Sequence, residues 1–182
     1  MKRSLFALRL LGLALLVTGT LAGCAGLFSS PTIAVVAIAA DEKLNVDTRG
    51  RSTPVMVRYY ILKNDSAFNS SDFFSLYEKD QQTLGDALLA REEFTLQPGE
   101  KKAFPAKDVG MGQVFAIMVS YRNIDKAIWR AAVPLPAKKT STILVSLKND
   151  QVAIKSDQVK FDEIPLDKLP FSKALPSQDK KK

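Results

Sequence analysis

From Thr32 onward the chain is a succession of short β-branched and aromatic runs broken by polar turns, and this spacing narrows the fold more than any other feature. Thr32–Ala39 reads TIAVVAIA, apolar on both faces, the pattern of a well-covered strand. Val55–Leu62 alternates: Val55, Val57, Tyr59 and Ile61 share the face expected to meet the core, and Arg58 falls on the other, expected to point outward. Gln113–Arg122 alternates in the same way, and Ile128–Pro134, Thr142–Lys148 and Gln151–Ile154 add further strands. Asn149-Asp150 marks a hairpin turn between the last two. The turn Gln97-Pro98-Gly99-Glu100 separates Glu93–Leu96 from Ala103–Pro105, which suits a hairpin.

The period changes once. Phe68, Asp72, Phe73, Leu76 and Tyr77 recur at three- and four-residue spacing, so Ser71–Lys79 is predicted to be a short helix. Thr83-Leu-Gly-Asp86 resembles a capping box that would open a second helix through Ala90, with Leu84, Leu88 and Leu89 inward. Helices this short gain their stability by docking on a sheet. The expected fold is therefore all-β, an antiparallel β-sandwich with a small helical insertion of two short helices at about 68–90.

The 182 residues contain no histidine and one cysteine. That excludes Ser-His-Asp and Cys-His catalysis, imidazole-ligated zinc or haem, and any intramolecular disulfide. Neighbouring acids such as Glu92-Glu93 and Asp41-Glu42 point to opposite faces of a strand, so they do not converge as a catalytic pair. Asp108 beside Gly110 and Gly112 lacks the spacing of a calcium loop. No enzymatic activity, metal or cofactor is expected, and no catalytic residue is assigned. Trp129-Arg130 suits an exposed interface hot spot or a structural pair, and the structural reading is favoured: Trp129 buried to pin a corner of the sandwich, with Arg130 paired to an acid such as Asp125.

The single cysteine has a telling position. Residues 1–23 begin with Lys2 and Arg3, continue through the apolar run Leu10–Val17, and lead by Leu21-Ala22-Gly23 into Cys24. The apolar run is too short to span a bilayer, and the layout is that of a secretory signal peptide. Leu-Ala-Gly-Cys resembles the bacterial lipobox. That resemblance implies cleavage after Gly23, with a diacylglycerol and an N-acyl chain on Cys24. Ala25-Gly26, with no aspartate after the cysteine, implies sorting to the outer membrane, with the domain facing the periplasm. Cleavage removes Lys2, Arg3 and Arg9 and lowers the formal charge from +7 to +4. No basic stripe with interleaved aromatics remains, so nucleic acid is not an expected partner. The organisation expected is a cleaved signal at 1–23, a lipidated tether at 24–31, a sandwich at 32–155 and a flexible tail at 156–182. The tail, which ends in three lysines, suits a solvated extension, a second contact or a grip on anionic headgroups.

Asp47-Thr48-Arg49-Gly50-Arg51-Ser52-Thr53-Pro54 joins the first two strands as a polar loop. Its composition suits a solvated connector or a binding loop, since arginine is favoured at interfaces and binding residues concentrate on loops. Several blocks in order resemble the type VI secretion outer-membrane lipoprotein family TssJ (SciN). They are Leu44–Asn64 (LNVDTRGRSTPVMVRYYILKN), then Phe68, Asp72-Phe73 and Leu76, then Leu84-Gly85 and Leu88-Leu89. Val119–Arg122, Asn123-Ile124-Asp125 and Trp129-Arg130 follow, so the resemblance covers roughly Leu44 to Leu147. It implies a transthyretin-like sandwich anchored in the outer membrane. Its implied role is to bind the periplasmic domain of TssM, with TssL in the same membrane complex, through the loop Asp47–Pro54. No small-molecule substrate is implied. The rival reading is a periplasmic lipoprotein that holds a small apolar ligand between its sheets or chaperones envelope proteins.

Overall fold

Period-two alternation over eight residues commits Val55–Leu62 to a strand with two different faces, and the rest of the domain assembles around it. The computed structural model describes residues 30–156. Its strands are β1 (Ile33–Leu44), β2 (Val55–Leu62), β3 (Leu88–Leu96), β4 (Lys101–Ala103), β5 (Lys107–Asp108), β6 (Val114–Ser120), β7 (Arg130–Pro134), β8 (Thr140–Asn149) and β9 (Gln151–Ser156). One sheet runs β4-β1-β8-β9, with β5 also paired to β1, and the other runs β3-β2-β6-β7.

The sandwich is the expected one, with one departure from antiparallel order. Strands β1 and β8 are parallel, Ile33 opposite Thr140 through Ala40 opposite Leu147. Parallel neighbours need a long crossover, and here the whole second sheet supplies it.

Alternate residues of both sheets close the core. Val36 and Ile38 of β1 meet Val57, Tyr59 and Ile61 of β2, Phe115 and Ile117 of β6, and Ile143 and Val145 of β8, all buried. Tyr59 lies 5.1 Å from the Phe104 ring and 5.4 Å from that of Phe115, so aromatic rings fill the middle of the sandwich.

A second apolar layer lies on the outer face of the β2–β6 sheet. Tyr60, Leu62, Ala116 and Met118 are covered by Phe68 of α1 (Ser66–Ser70) and by Leu76 and Leu84 of α2 (Phe73–Leu84). Asp72 caps α2, accepting a 2.9 Å bond from the Ser75 amide and a 2.6 Å bond from its hydroxyl.

Three expectations are corrected. There is no helix over Thr83–Ala90: α2, kinked at Lys79, reaches only Leu84, a single 3₁₀ turn spans Gly85–Ala87, and β3 begins at Leu88. The Thr83 hydroxyl donates back to the Ser75 carbonyl rather than capping a new helix, and Gly85 ends α2 at φ +49. Leu88–Leu96 instead pairs with β2 along its length, leaving Leu84 buried, Leu88 half-buried and Leu89 exposed.

The second correction concerns the Pro98-Gly99 turn. It carries the chain from one sheet to the other instead of closing a hairpin, because β4 pairs with β1 and not with β3. The third is Arg58. It lies on the face away from the core, as expected, but is buried there beneath α2.

Candidate functional site

β1 runs twelve residues, about 40 Å at strand rise, so its two ends lie at opposite poles of the domain. The loop Asp47–Pro54 hangs from the pole opposite Thr32. Its anchor is Asn45, only 5% exposed and held at φ +48, a left-handed backbone that asparagine tolerates better than most residues. The Asn45 amide donates to Thr53 Oγ1 at 2.8 Å and to the Pro54 carbonyl at 3.1 Å, and its Oδ1 accepts from the Arg122 amide at 2.7 Å. Thr53 Oγ1 in turn donates to the Asn45 carbonyl at 2.6 Å. Both ends of the loop are thereby tied to each other and to the segment after β6.

The tip is shaped by Asp47. Its Oδ1 accepts 2.9 Å bonds from the amides of Arg49 and Arg51. Its Oδ2 meets Arg51 Nε at 2.9 Å and Nη2 at 2.8 Å. The Asp47 amide donates to the Arg51 carbonyl at 2.8 Å and Gly50 N to the Asp47 carbonyl at 2.9 Å. Gly50 sits at φ +78, where a side chain would be strained.

Thr48, Arg49, Gly50, Arg51 and Pro54 are exposed, and Asp47, Ser52 and Thr53 are half-buried. Arg51 is committed to Asp47, whereas the Arg49 side chain has no acidic partner among the described residues. The result is a pre-ordered loop that presents a free guanidinium.

The amide of Arg51 foremost, then its side chain and the Arg49 amide, hold the Asp47 carboxyl below its ordinary value of 3.8. A depressed folded value means the ionised, loop-ordering form persists at neutral pH and is lost only as pH falls through that lowered value. The amide chemical shifts of Arg49 and Arg51 are therefore expected to stay constant from pH 8 to pH 5 and to move with a midpoint below 3.8. A midpoint above 3.8 would contradict the Asp47 lock.

Sequence reasoning missed Asn45 and Arg122 as loop anchors, and it missed a charge cluster on the opposite face of β2. Arg58 Nη2 meets Glu93 Oε2 at 2.6 Å and Nη1 meets Asp80 Oδ2 at 3.0 Å, and Nη1 also donates to the carbonyls of Leu76 and Tyr77. Arg91 closes the ring on the same two acids at 2.9 and 2.6 Å. An open depression of about 390 Å³ lies beside it, lined by Tyr77, Asp80 and Arg91 among others. Two arginines against two carboxylates leave every charge paired, so the cluster fastens α2 to the sheet and offers no free acid or base.

Trp129 is half-buried, edge-on to Phe73 at 5.3 Å, and plays the structural part expected of it. Arg130 does not pair with Asp125. It stacks on Trp129 at 4.7 Å, and its Nη1 donates to the carbonyls of Phe68 at 2.9 Å and Ser71 at 2.6 Å, pinning the junction of the two helices. Among the described residues no three acids, cysteines or histidines gather as metal ligands, and no helix is long and apolar enough to cross a membrane. Cys24 lies outside the described residues, as does the tail from 157 onward.

The described residues form a two-sheet β-sandwich whose core is filled by side chains, with an ordered loop carrying Arg49 and Arg51 at one pole. Residues 32–150 match the family described as type VI secretion lipoprotein, VasD, EvfM, TssJ, VC_A0113, and the chain belongs to that family. It is similar to the type VI secretion lipoprotein TssJ1 of Pseudomonas aeruginosa, with 30% identity and a TM-score of 0.67 over 71% of this chain and 99% of that one. Serratia marcescens Lip, a membrane-bound component of the type VI secretion system, shares the fold at 22% identity and TM-score 0.61, covering 70% of this chain and 99% of Lip. A structure described as the TssM C-terminal domain (869–1107) from EAEC contains a chain with the same fold. It is 20% identical with TM-score 0.56, over 68% of this chain and 97% of that one. No curated protein sequence matches the chain.

Proposed function

We propose that this family member is a non-enzymatic lipoprotein anchored in the outer membrane through acylated Cys24. In this reading it docks the periplasmic domain of TssM through the loop Asp47–Pro54, with TssL in the same membrane complex. The observation that carries the reading is the loop itself. It is ordered before any partner arrives, exposes Arg49, and sits at the pole opposite Thr32, where the strand length of β1 carries it about 40 Å away from the point at which the chain enters the domain. Pre-ordering lowers the entropic cost of docking. Several acyl chains on Cys24 would make the anchor effectively permanent, and a stiff sandwich would pass force from the loop to it. The edge-on and tilted ring cluster of Tyr59, Phe104 and Phe115 occupies the space that a ligand between the sheets would need.

The test is binding of the mature chain to the periplasmic region of TssM. Arg49→Glu leaves the Asp47–Arg51 pair intact and is expected to weaken binding at least about tenfold, roughly 1.4 kcal/mol. Adding Arg51→Glu removes the lock as well and abolishes capture. The association rate should fall with salt in the native protein and much less in the variants. Native-like binding by both variants, with unchanged circular dichroism, would move the interface off this loop.

A further inference from the structure

The pole where the chain enters has its own surface. Thr32 follows directly on the expected tether, and three hydrogen bonds fix the neighbouring turns to this point of entry. Val109 N donates to the Thr32 carbonyl at 2.9 Å, Lys138 N to Thr32 Oγ1 at 3.0 Å, and Ile33 N to the Lys139 carbonyl at 2.9 Å. The first turn, closed by a 2.8 Å bond from Gly112 N to the Val109 carbonyl, raises Met111 to 73% exposure, the highest of any large apolar side chain described. The second holds Lys138 at φ +61, a left-handed backbone unusual for lysine, with Lys139 beside it.

Lys63 at the end of β2 and Lys107 in β5 are exposed at the same pole, and Lys107 has only a 3.8 Å contact with exposed Glu92. With Lys155 these cations outnumber the acids Asp65, Asp86 and Asp108 there. Strand β9 also ends towards this pole, at Ser156 opposite Ile143, so the chain outside the described residues continues from this pole in both directions. Its C-terminal part ends in Lys180-Lys181-Lys182.

We infer that this pole is a lipid-contact surface: Met111 enters the headgroup region of an anionic phospholipid leaflet while Lys107, Lys138 and Lys139 pair with lipid phosphates. The inference rests on the proposed acylation of Cys24. Seven residues of tether reach at most roughly 25 Å, which holds this pole within reach of the bilayer and turns a weak surface attraction into an intramolecular one. Each lysine near an anionic leaflet strengthens contact roughly fivefold. A contact here would fix the domain upright and aim the Arg49 loop into the periplasm; a bare tether would leave its direction free.

The chain's one cysteine makes the test specific, because acylation consumes its thiol and a new cysteine becomes the sole labelling site. The full acylated chain carrying Met111→Cys, and separately Thr48→Cys as the far-pole control, is labelled with an environment-sensitive fluorophore. Each is reconstituted in vesicles of phosphatidylethanolamine with phosphatidylglycerol. The label at 111 is expected to shift to the blue and to be quenched by headgroup-level nitroxide lipid, while the label at 48 stays in water. Lys138→Glu with Lys139→Glu, or vesicles without anionic lipid, should remove most of the quenching at 111.

A chain that floats with the vesicles, with Cys24 acylated by mass, yet keeps 111 as exposed as 48 would overturn the lipid surface and leave the anchor standing. Equal quenching at 111 in neutral and anionic vesicles would overturn the charge pairing. A chain with an unmodified Cys24 that fails to float would remove the anchor reading and this inference with it.

Discussion

Replacing Arg58 with alanine is expected to destabilise the domain by about 3–5 kcal/mol, the range for breaking a buried ion pair by removing one partner. The Arg58 side chain is 7% exposed, and its guanidinium is shared among Asp80, Glu93 and two α2 carbonyls. Removing it leaves Asp80, itself only 9% exposed, with Arg91 as its remaining cation, and leaves the Leu76 carbonyl without its 2.9 Å donor. The helical layer over Tyr60 and Met118 would loosen with it.

At typical urea slopes of about 1–3 kcal/mol per molar, the midpoint should fall by at least about 1 M. Arg58→Lys should recover little, because one ammonium cannot reproduce the fork that serves two acids and two carbonyls. A loss below about 1 kcal/mol for Arg58→Ala would show that the cluster is ornamental. Hydrogen bonds from Arg58, then Arg91, also hold the Glu93 carboxyl below its ordinary value of 4.5. That contribution is present above the ordinary value and lost as pH falls through the lowered one, so the variant should be less sensitive to acid than the native chain.

The second large effect is expected at Asn45. Alanine there removes both donors and the acceptor that tie the loop to Thr53, Pro54 and Arg122, and it is itself disfavoured at φ +48. The combined cost is about 4–5 kcal/mol, from three hydrogen bonds at roughly 1 kcal/mol net each and 1–2 for the left-handed backbone. Asn45→Gly separates the two contributions, since it relieves the backbone strain and still loses the side-chain bonds. The alanine variant should therefore be less stable than the glycine variant by about the backbone part alone. Both should weaken TssM capture while the near-ultraviolet dichroism of the Tyr59 ring cluster stays native. Full-strength capture by Asn45→Ala would mean that loop order is irrelevant to docking.

How much of this was legible depends on the range of the forces involved. Strands β2 and β6 were readable as short β-branched and aromatic runs bounded by polar turns, whereas the burial of their second faces under the helices depends on elements distant in sequence. The helix expected over Thr83–Ala90 was a misreading, because Leu84, Leu88 and Leu89 suit an amphipathic helix until the pairing of Leu88 with Leu62 and of Ala90 with Ile61 of β2 is counted. The Pro98-Gly99 turn looks the same in sequence whether the chain folds back or crosses to the other sheet. The parallel pairing of β1 with β8 joins strands separated by most of the domain, and nothing local records it.

Arg58 shows the same limit. Its face was evident from the alternation, but its burial depends on Asp80 and Glu93, which are brought to it by separate elements. The loop's place between two strong strands was evident from its polarity, and its internal lock has a local signal in Asp47 preceding Gly50. Its anchoring was not, because Asn45 is held by an amide 77 positions away.

The central claim is that a loop ordered in advance is the docking surface. Hydrogen–deuterium exchange of the mature chain, free and bound to the periplasmic region of TssM, tests it most directly. The free protein should already protect the amides of Arg49 and Arg51 relative to an Asp47→Ala variant. Binding should add protection across residues 46–54 and the adjoining Arg122 segment, leaving the Met111 turn at the opposite pole unchanged. Protection that appears on the Met111 turn or along α2 and spares residues 46–54 would contradict the account.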